Sequence, residues 1–267
     1  MHLEVTHLSK TFQLRSGFLG RATPLAAVSD VSFEVSPNSA MAIVGETGSG
    51  KTTVARMIVG LETPTSGEVS VDGKLLSPRA DLHERRRRAR LMQMVFQNPF
   101  LSLDARQPVA SGIAEVIRHH RLAEGSAVQA RVAELLAAVG LADRLGASRP
   151  RQLSGGQCQR AAIARALAAE PEMLVLDEPV SALDVSTQAQ ILNLLADLRA
   201  EFGLGILMIS HDLALVRHIA DDVVVMHRGR VVESGAVEKV LETPTETYTQ
   251  QLLAAIPERL ALEGLSG

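Results

Sequence analysis

The sequence predicts an α/β fold: a largely parallel β-sheet with crossover helices, an antiparallel β subdomain at the amino end and an inserted helical subdomain. Three observations predict it. An apolar run, "AMAIVG" (40–45), leads straight into a glycine-rich loop and then a helical pattern. Short β-rich runs return after Met173 on either side of a long helical stretch. Before residue 36 the pattern instead alternates apolar and polar residues, as half-buried strands do.

At the amino end, "LEVTHL" (3–8) and "VSDVSFEV" (28–35) read as antiparallel strands separated by the Gly- and Pro-containing "RSGFLGRATP" (15–24). "TTVARMIVG" (52–60) follows the glycine loop as a helix that Gly60 closes. "LMQMVFQ" (91–97) reads as another strand, and the region from about Gly112 to Gly140 reads as helical, with "AVQARVAELLAAVG" placing apolar residues at helical spacing. "MLVLDEP" (173–179) and "ILMISH" (206–211) are buried-strand runs around the helical "TQAQILNLLADLRAEF" (187–202). The organisation expected is a main domain over 1–243 with the helical subdomain inserted at about 98–165, then a tail over 244–267 with a short helix around Tyr248 to Ile256 and a fraying end.

Composition excludes several classes of function. The 267 residues are 46% hydrophobic and 21% charged, with one tyrosine, six phenylalanines and no tryptophan, so stacking platforms for single-stranded nucleic acid are scarce. A formal net charge of −3 gives no general attraction to DNA or acidic membranes, and the basic run "ERRRRAR" (84–90) reads as a solvated helix face. One cysteine, Cys158, makes no internal disulfide and no multi-cysteine metal site, which fits a reducing compartment. "MHLEVTHLSK" lacks the pattern of a secretory leader, and runs such as "VVVM" fall far short of the ~20 residues of a membrane span.

The chemistry concentrates in a few stretches. "GETGSGKTT" (45–53) meets the pattern of a glycine, four residues and Gly-Lys-Thr through Gly45, Gly50, Lys51 and Thr52. Its glycines let backbone N–H groups approach phosphate oxygens, Lys51 reaches the β and γ phosphates, and the Thr52 hydroxyl can ligate Mg²⁺. A chance match occurs in on the order of one chain per hundred of this length, and the strand–loop–helix context lowers that further. "MLVLDE" ends an apolar strand in two acids: Asp177 can hold Mg²⁺ through its shell, and Glu178 can face an attacking water. Gln97 and His211 also end apolar strands, where an amide can meet metal-bound water and an imidazole can meet a γ-phosphate. A second anion site is read in "LSGGQCQR" (153–160), where a serine and two glycines open a helix.

With these stretches in this order, the chain resembles the ATP-binding cassette ATPases, the motor subunits of ABC transporters, over nearly its whole length. The resemblance implies a P-loop NTPase of the ABC type with a RecA-like core. It makes "GETGSGKTT", with Gly45, Glu46, Thr47, Gly48, Ser49, Gly50, Lys51, Thr52 and Thr53, the Walker A loop. It likewise makes Gln97 the Q-loop glutamine, "LSGGQ" (Ser154, Gly155, Gly156, Gln157) the signature, and "MLVLDE" Walker B with Glu178 as catalytic base. "SALD" with Asp184 becomes the D-loop and His211 the switch histidine, while Thr52, Gln97 and Asp177 become the metal set. Phe12 resembles the aromatic that stacks on adenine, with a core phenylalanine as the competing reading.

The leader between Phe12 and Val28, the runs "VFQNPFLSLD" and "EPVSALDVSTQAQILNLL", and the tail "PTETYTQQLLAAIP" are similar to the oligopeptide, dipeptide and nickel importer group. Many members carry a cysteine cluster near the carboxyl terminus; this sequence has none, so no iron–sulfur centre is expected. The resemblance implies ATP and Mg²⁺ as cofactors and a second cassette, identical or not, as partner. Integral membrane permease subunits and an extracytoplasmic solute-binding protein complete the implied assembly, at the cytoplasmic face of the membrane, with no nucleic acid. It implies that Ser154, Gly155 and Gly156 reach the γ-phosphate held by the partner cassette. The alternatives are an accessory cassette of a soluble enzyme, of the phosphonate carbon–phosphorus lyase type, and a non-transport cassette acting on nucleic acid. Cys158 stands where relatives often carry arginine; at a helix start its thiol pKa could be lowered, against a reading of simple tolerated substitution.

Overall fold

The computed structural model describes residues 1–15, 22–77 and 81–255. In chain order it runs through strands β1 (Leu3–Arg15), β2 (Ala22–Val35) and β3 (Ala40–Val44), helix α1 (Lys51–Ile58), strands β4 (Ser66–Val71) and β5 (Lys74–Leu75), helix α2 (Leu82–Leu91) and strand β6 (Met92–Val95). Helices α3 (Val109–His119), α4 (Ala127–Ala138) and α5 (Gly155–Leu167) follow, then β7 (Met173–Asp177), α6 (Val185–Phe202) and β8 (Gly205–Ser210). The chain closes with α7 (Leu213–Ile219), β9 (Asp222–His227), β10 (Arg230–Ala236), α8 (Val237–Glu242) and α9 (Thr247–Ala254). These elements form two compact units, one from the described residues of 1–81 and 207–267, the other from those of 82–206.

The first unit holds an antiparallel sheet in the order β2-β1-β4-β5. Its alternation is the one written in the sequence: Leu3 and Val5 are buried while Glu4 between them is exposed. Leu3 sits opposite Val35 on one side and Val71 on the other, so one buried position seals against two neighbouring strands. In the same unit β3 pairs in parallel with β9, β10 flanks β9 antiparallel, and β8, of which Leu207–Ser210 belong to this unit, lies on the other side of β3. Every residue of β3 and of β8 is buried, the signature of strands covered on both faces.

In the second unit β6 and β7 pair in parallel from Met92↔Met173 to Val95↔Leu176. Ile113, Ile117, Leu135, Leu136 and Ile163 from α3, α4 and α5 are 0–1% exposed. Burying each such side chain stabilises by roughly 1.5–3 kcal/mol, an upper estimate because the unfolded chain already hides part of this area.

One local expectation is resolved further and another is corrected. The helical region of 112–140 holds two helices, because α3 ends at a left-handed turn: Arg121 has φ +57°, and the Leu122 N–H donates back to the Ile117 carbonyl. The basic run of α2 is not wholly solvated: Arg85, Arg86 and Arg90 are exposed, but Arg88 is buried and Arg87 pairs with Glu84 at 2.9 Å. Within the tail, α9 begins at Thr247 as a short helix; residues 256–267, where a fraying end was expected, lie outside the described residues.

Candidate nucleotide site

The glycine loop leaves β3 at Gly45 and enters α1 at Lys51. Gly50 caps the helix at φ +102°, a conformation that favours glycine, and a Cβ there would lie 2.5 Å from the Ala27 carbonyl oxygen. Backbone therefore approaches backbone where a side chain would intrude. The Lys51 side chain is buried and turns back into the loop, its ammonium donating to the Gly45 carbonyl at 2.6 Å and the Glu46 carbonyl at 2.9 Å. Glu46, Thr47 and Gly48 are exposed, and Thr52 and Thr53 are half-buried on the first turn of α1. Ser49 Oγ is buried with no hydrogen-bond partner among the described residues, so the loop retains polar capacity beyond what its own fold uses.

His211 follows β8 and is exposed. Together with Gly45, Glu46 and Thr47 it lines a cavity of about 420 Å³ whose far wall is α9, through Tyr248, Gln251 and Leu252. The structure thus brings His211 and the loop to one cavity within the first unit. Phe12, on β1 of the same unit, is half-buried rather than in the core, with the Lys10 ammonium 4.9 Å from its ring centroid.

In the second unit β7 delivers Asp177, 5% exposed, and then Glu178, half-buried at φ +47°. A left-handed non-glycine residue stores of order 1–3 kcal/mol and persists only where its surroundings fix it. Here the Ser181 N–H and hydroxyl both donate to the Glu178 carbonyl, at 3.3 and 3.2 Å. The Gln97 amide, at the end of the segment after β6, donates to Glu178 Oε2 at 2.8 Å and to Ser181 Oγ at 3.3 Å. Two residues 81 positions apart are thereby joined directly.

The "LSGGQ" stretch opens α5 as a capping box: Ser154 Oγ accepts from the Gln157 N–H at 3.3 Å, and Gln157 Oε1 accepts from the Ser154 N–H at 3.0 Å. Gly156 has a packing reason as well, since a Cβ there would lie 2.6 Å from Thr187 Cγ2. Thr187 is fixed in turn by Asp184, which caps α6 by accepting from the Thr187 N–H at 2.9 Å and its hydroxyl at 2.8 Å. The Ser186 hydroxyl also donates to Asp184, at 2.7 Å, and with the Thr187 bonds holds the pKa of this carboxyl down at about 2. The LSGGQ turn thus packs on the first turn of α6.

Of the two readings of Cys158, burial favours the tolerated substitution over a lowered thiol pKa. It is fully buried, its Sγ donates to the Pro150 carbonyl at 3.1 Å, and burial pushes its pKa up from the ordinary 9.0. Raising the folded value means that fold stability tied to this group is present below pH 9.0 and is lost as pH rises through the higher folded pKa. A thiol reagent is expected to label the native chain at least ~10-fold more slowly than the urea-unfolded chain, with the gap persisting as pH is raised through about 9. Equal rates would contradict the buried, protonated thiol.

Sequence reasoning missed Tyr248 as a neighbour of the loop. The Glu46 N–H donates to its hydroxyl at 3.1 Å, and its ring packs on His227 with centroids 3.9 Å apart. The one signal was that the chain's single tyrosine opens an amphipathic tail. Asp212 was also missed; it caps α7 beside His211, accepting from the Ala214 N–H at 2.9 Å.

A buried strand, a glycine loop closed on a buried lysine and a helix entered through a left-handed glycine define a P-loop nucleotide-binding protein. Residues 28–181 match the ABC transporter family, and the chain belongs to it. It is 45% identical over 259 residues to the glutathione import ATP-binding protein GsiA of Escherichia coli, covering 96% of this chain and 41% of that one. It is 46% identical over 258 residues to the oligopeptide transport ATP-binding protein OppD of Mycobacterium tuberculosis, covering 96% and 42%. The chain therefore spans about two fifths of the length of these relatives. Among solved structures it is similar to the dimeric ATP-binding cassette MJ0796 in a post-hydrolysis state bound to ADP and Pi, with TM-score 0.77, 29% identity and coverage of 88% and 98%. It is also similar to cbiO1 from Clostridium perfringens, part of the ABC transporter complex cbiONQ, with TM-score 0.76, 26% identity and 98% coverage of both chains.

Proposed function

We propose that this chain is the ATP-binding and ATP-hydrolysing cassette of an importer for peptides or a related small solute. The observation that carries the reading is the loop itself: a buried lysine ammonium folded back onto two backbone carbonyls, beside a buried serine hydroxyl with no partner among the described residues. Identity of 45–46% to two import or transport ATP-binding proteins supports the transport half of the reading.

In this reading Lys51 and the N–H groups of Gly48 to Thr53 bind the phosphates, and Phe12 takes the adenine. Thr52 offers a hydroxyl oxygen, Gln97 an amide oxygen and Asp177 a carboxylate oxygen, each a hard donor of the kind Mg²⁺ would take alongside substrate phosphates. When bound, the ion neutralises charge developing on the phosphate oxygens. Glu178 accepts a proton from the attacking water, and its contact with the Gln97 amide keeps that carboxylate aimed. His211 meets the γ-phosphate. Ser154, Gly155, Gly156 and Gln157, with Asp184, serve the nucleotide of a second cassette, identical or not, so that two cassettes close on ATP and reopen after hydrolysis.

The main domain is 1–243, with a helical subdomain of about 98–165 contacting membrane permease subunits at the cytoplasmic face and 244–267 as a tail. An extracytoplasmic solute-binding protein completes the assembly. No helix among the described residues is long and apolar enough to cross a membrane.

Affinity purification of the tagged chain from its own cells in mild detergent tests the assembly. Two integral membrane subunits are expected to copurify. Soluble enzyme subunits in their place would overturn the importer reading in favour of an accessory cassette.

A further inference from the structure

Resting on the nucleotide reading above, we infer that Tyr248 is a positioning residue for nucleotide binding, acting on Lys51 through the single peptide plane between Gly45 and Glu46. That plane is held at both ends. Its carbonyl, Gly45 O, accepts from the Lys51 ammonium at 2.6 Å, and its N–H, on Glu46, donates to the Tyr248 hydroxyl at 3.1 Å. Rotating the peptide to break one bond breaks the other, because both atoms belong to one rigid unit.

The tyrosine is itself held firmly. Its ring packs against His227 at the end of β9, tilted by 46°. The residues leading into α9 are fixed by Glu233 of β10, which accepts from the Thr245 N–H and hydroxyl, each at 2.8 Å, and from the Glu246 N–H at 3.3 Å. The tail helix is thereby anchored to β10 on one side and to the phosphate loop on the other. Glu46 is exposed, so without Tyr248 its N–H would exchange freely with water and the plane would turn more easily. The hydroxyl touches no reacting atom in this scheme; it presets the carbonyl that keeps the Lys51 ammonium in the loop.

The test is Tyr248→Phe, which keeps the ring on His227 and removes only the acceptor. Hydrogen exchange at the Glu46 amide, measured without nucleotide, is expected to quicken while exchange in β3 stays unchanged. Loss of one net hydrogen bond predicts a rise of about three- to tenfold in both the ATP Kd and KM, with kcat within about twofold of wild type. A merely structural tail contact would instead shift thermal unfolding and leave KM in place. Glu233→Gln, which loosens the anchor of α9 while keeping Tyr248, is the second variant and is expected to raise KM in the same direction by less. Unchanged Glu46 exchange, or unchanged ATP affinity in Tyr248→Phe beside a wild-type chain that binds ATP, overturns the inference alone. A wild-type chain that binds no ATP overturns the nucleotide reading and the inference with it.

Discussion

Glu178→Gln is expected to bind ATP with near wild-type affinity, to release phosphate at ~1% of the wild-type rate or less, and to accumulate as an ATP-bound dimer. The size of the loss follows from removing a general base, an effect of roughly 10²- to 10⁴-fold. The fold should survive the exchange. A glutamine side chain is isosteric with the carboxylate it replaces, its amide oxygen can still accept from Gln97, and the Ser181 bonds go to the backbone carbonyl, which the substitution leaves alone. The strained φ of +47° is set by that turn and not by the carboxylate. Steady-state phosphate release and size-exclusion chromatography in ATP check both halves. Near-normal turnover would remove Glu178 from its role; lost ATP binding would show that the carboxylate holds nucleotide rather than activating water.

How far the fold could be read depended on whether a glycine marked each boundary. The ends of α1, α4 and α6 are closed by Gly60, Gly140 and Gly203, all at positive φ, and the sequence pattern stops each helix there or just before. The end of α3 uses the same backbone geometry with Arg121 in the left-handed position, and nothing in that residue type announces it. Strands were legible by burial: β3, β7 and β8 are buried at every position and read as apolar runs, with polar residues only at the ends of β7 (Asp177) and β8 (Ser210). The two-residue β5, Lys74–Leu75, is exposed on both residues and carries no such pattern.

The candidate site divides in the same way. Residues whose chemistry and spacing are local, from Gly45 to Thr53 and from Asp177 to Glu178, were legible because a phosphate loop and a strand-end acid pair each occupy one short stretch. Pairings across long separations were not. Gln97 bonded to Glu178, Gly156 fitted against Thr187 and Tyr248 holding Glu46 arise only when distant elements pack. Cys158 illustrates the limit from the other side. Its place at a helix start left a lowered thiol pKa open beside a simple tolerated substitution; the packing of α5 buries it against the Pro150 carbonyl and pushes its pKa up, which favours the substitution.

Lys51→Ala is expected to weaken ATP binding by ~100-fold or more. Each charge-assisted hydrogen bond from the ammonium to a phosphate oxygen is worth about 1.5–3 kcal/mol, and two are forfeited at once. The loop also loses its internal brace, since the Gly45 and Glu46 carbonyls both accept from this one buried group. Calorimetry should therefore show the affinity loss, and thermal unfolding without nucleotide should show only a small decrease in stability, because the buried strand β3 and the Val54, Met57 and Ile58 face of α1 remain packed. Lys51→Arg separates charge from shape. It keeps the cation, but a planar guanidinium is too broad for a position that is 5% exposed and whose ammonium lies 2.6 and 2.9 Å from two carbonyls, so it should bind ATP nearly as poorly as the alanine variant. Full binding by the arginine variant would mean that charge alone suffices; full binding by the alanine variant would take the phosphate-gripping role away from Lys51.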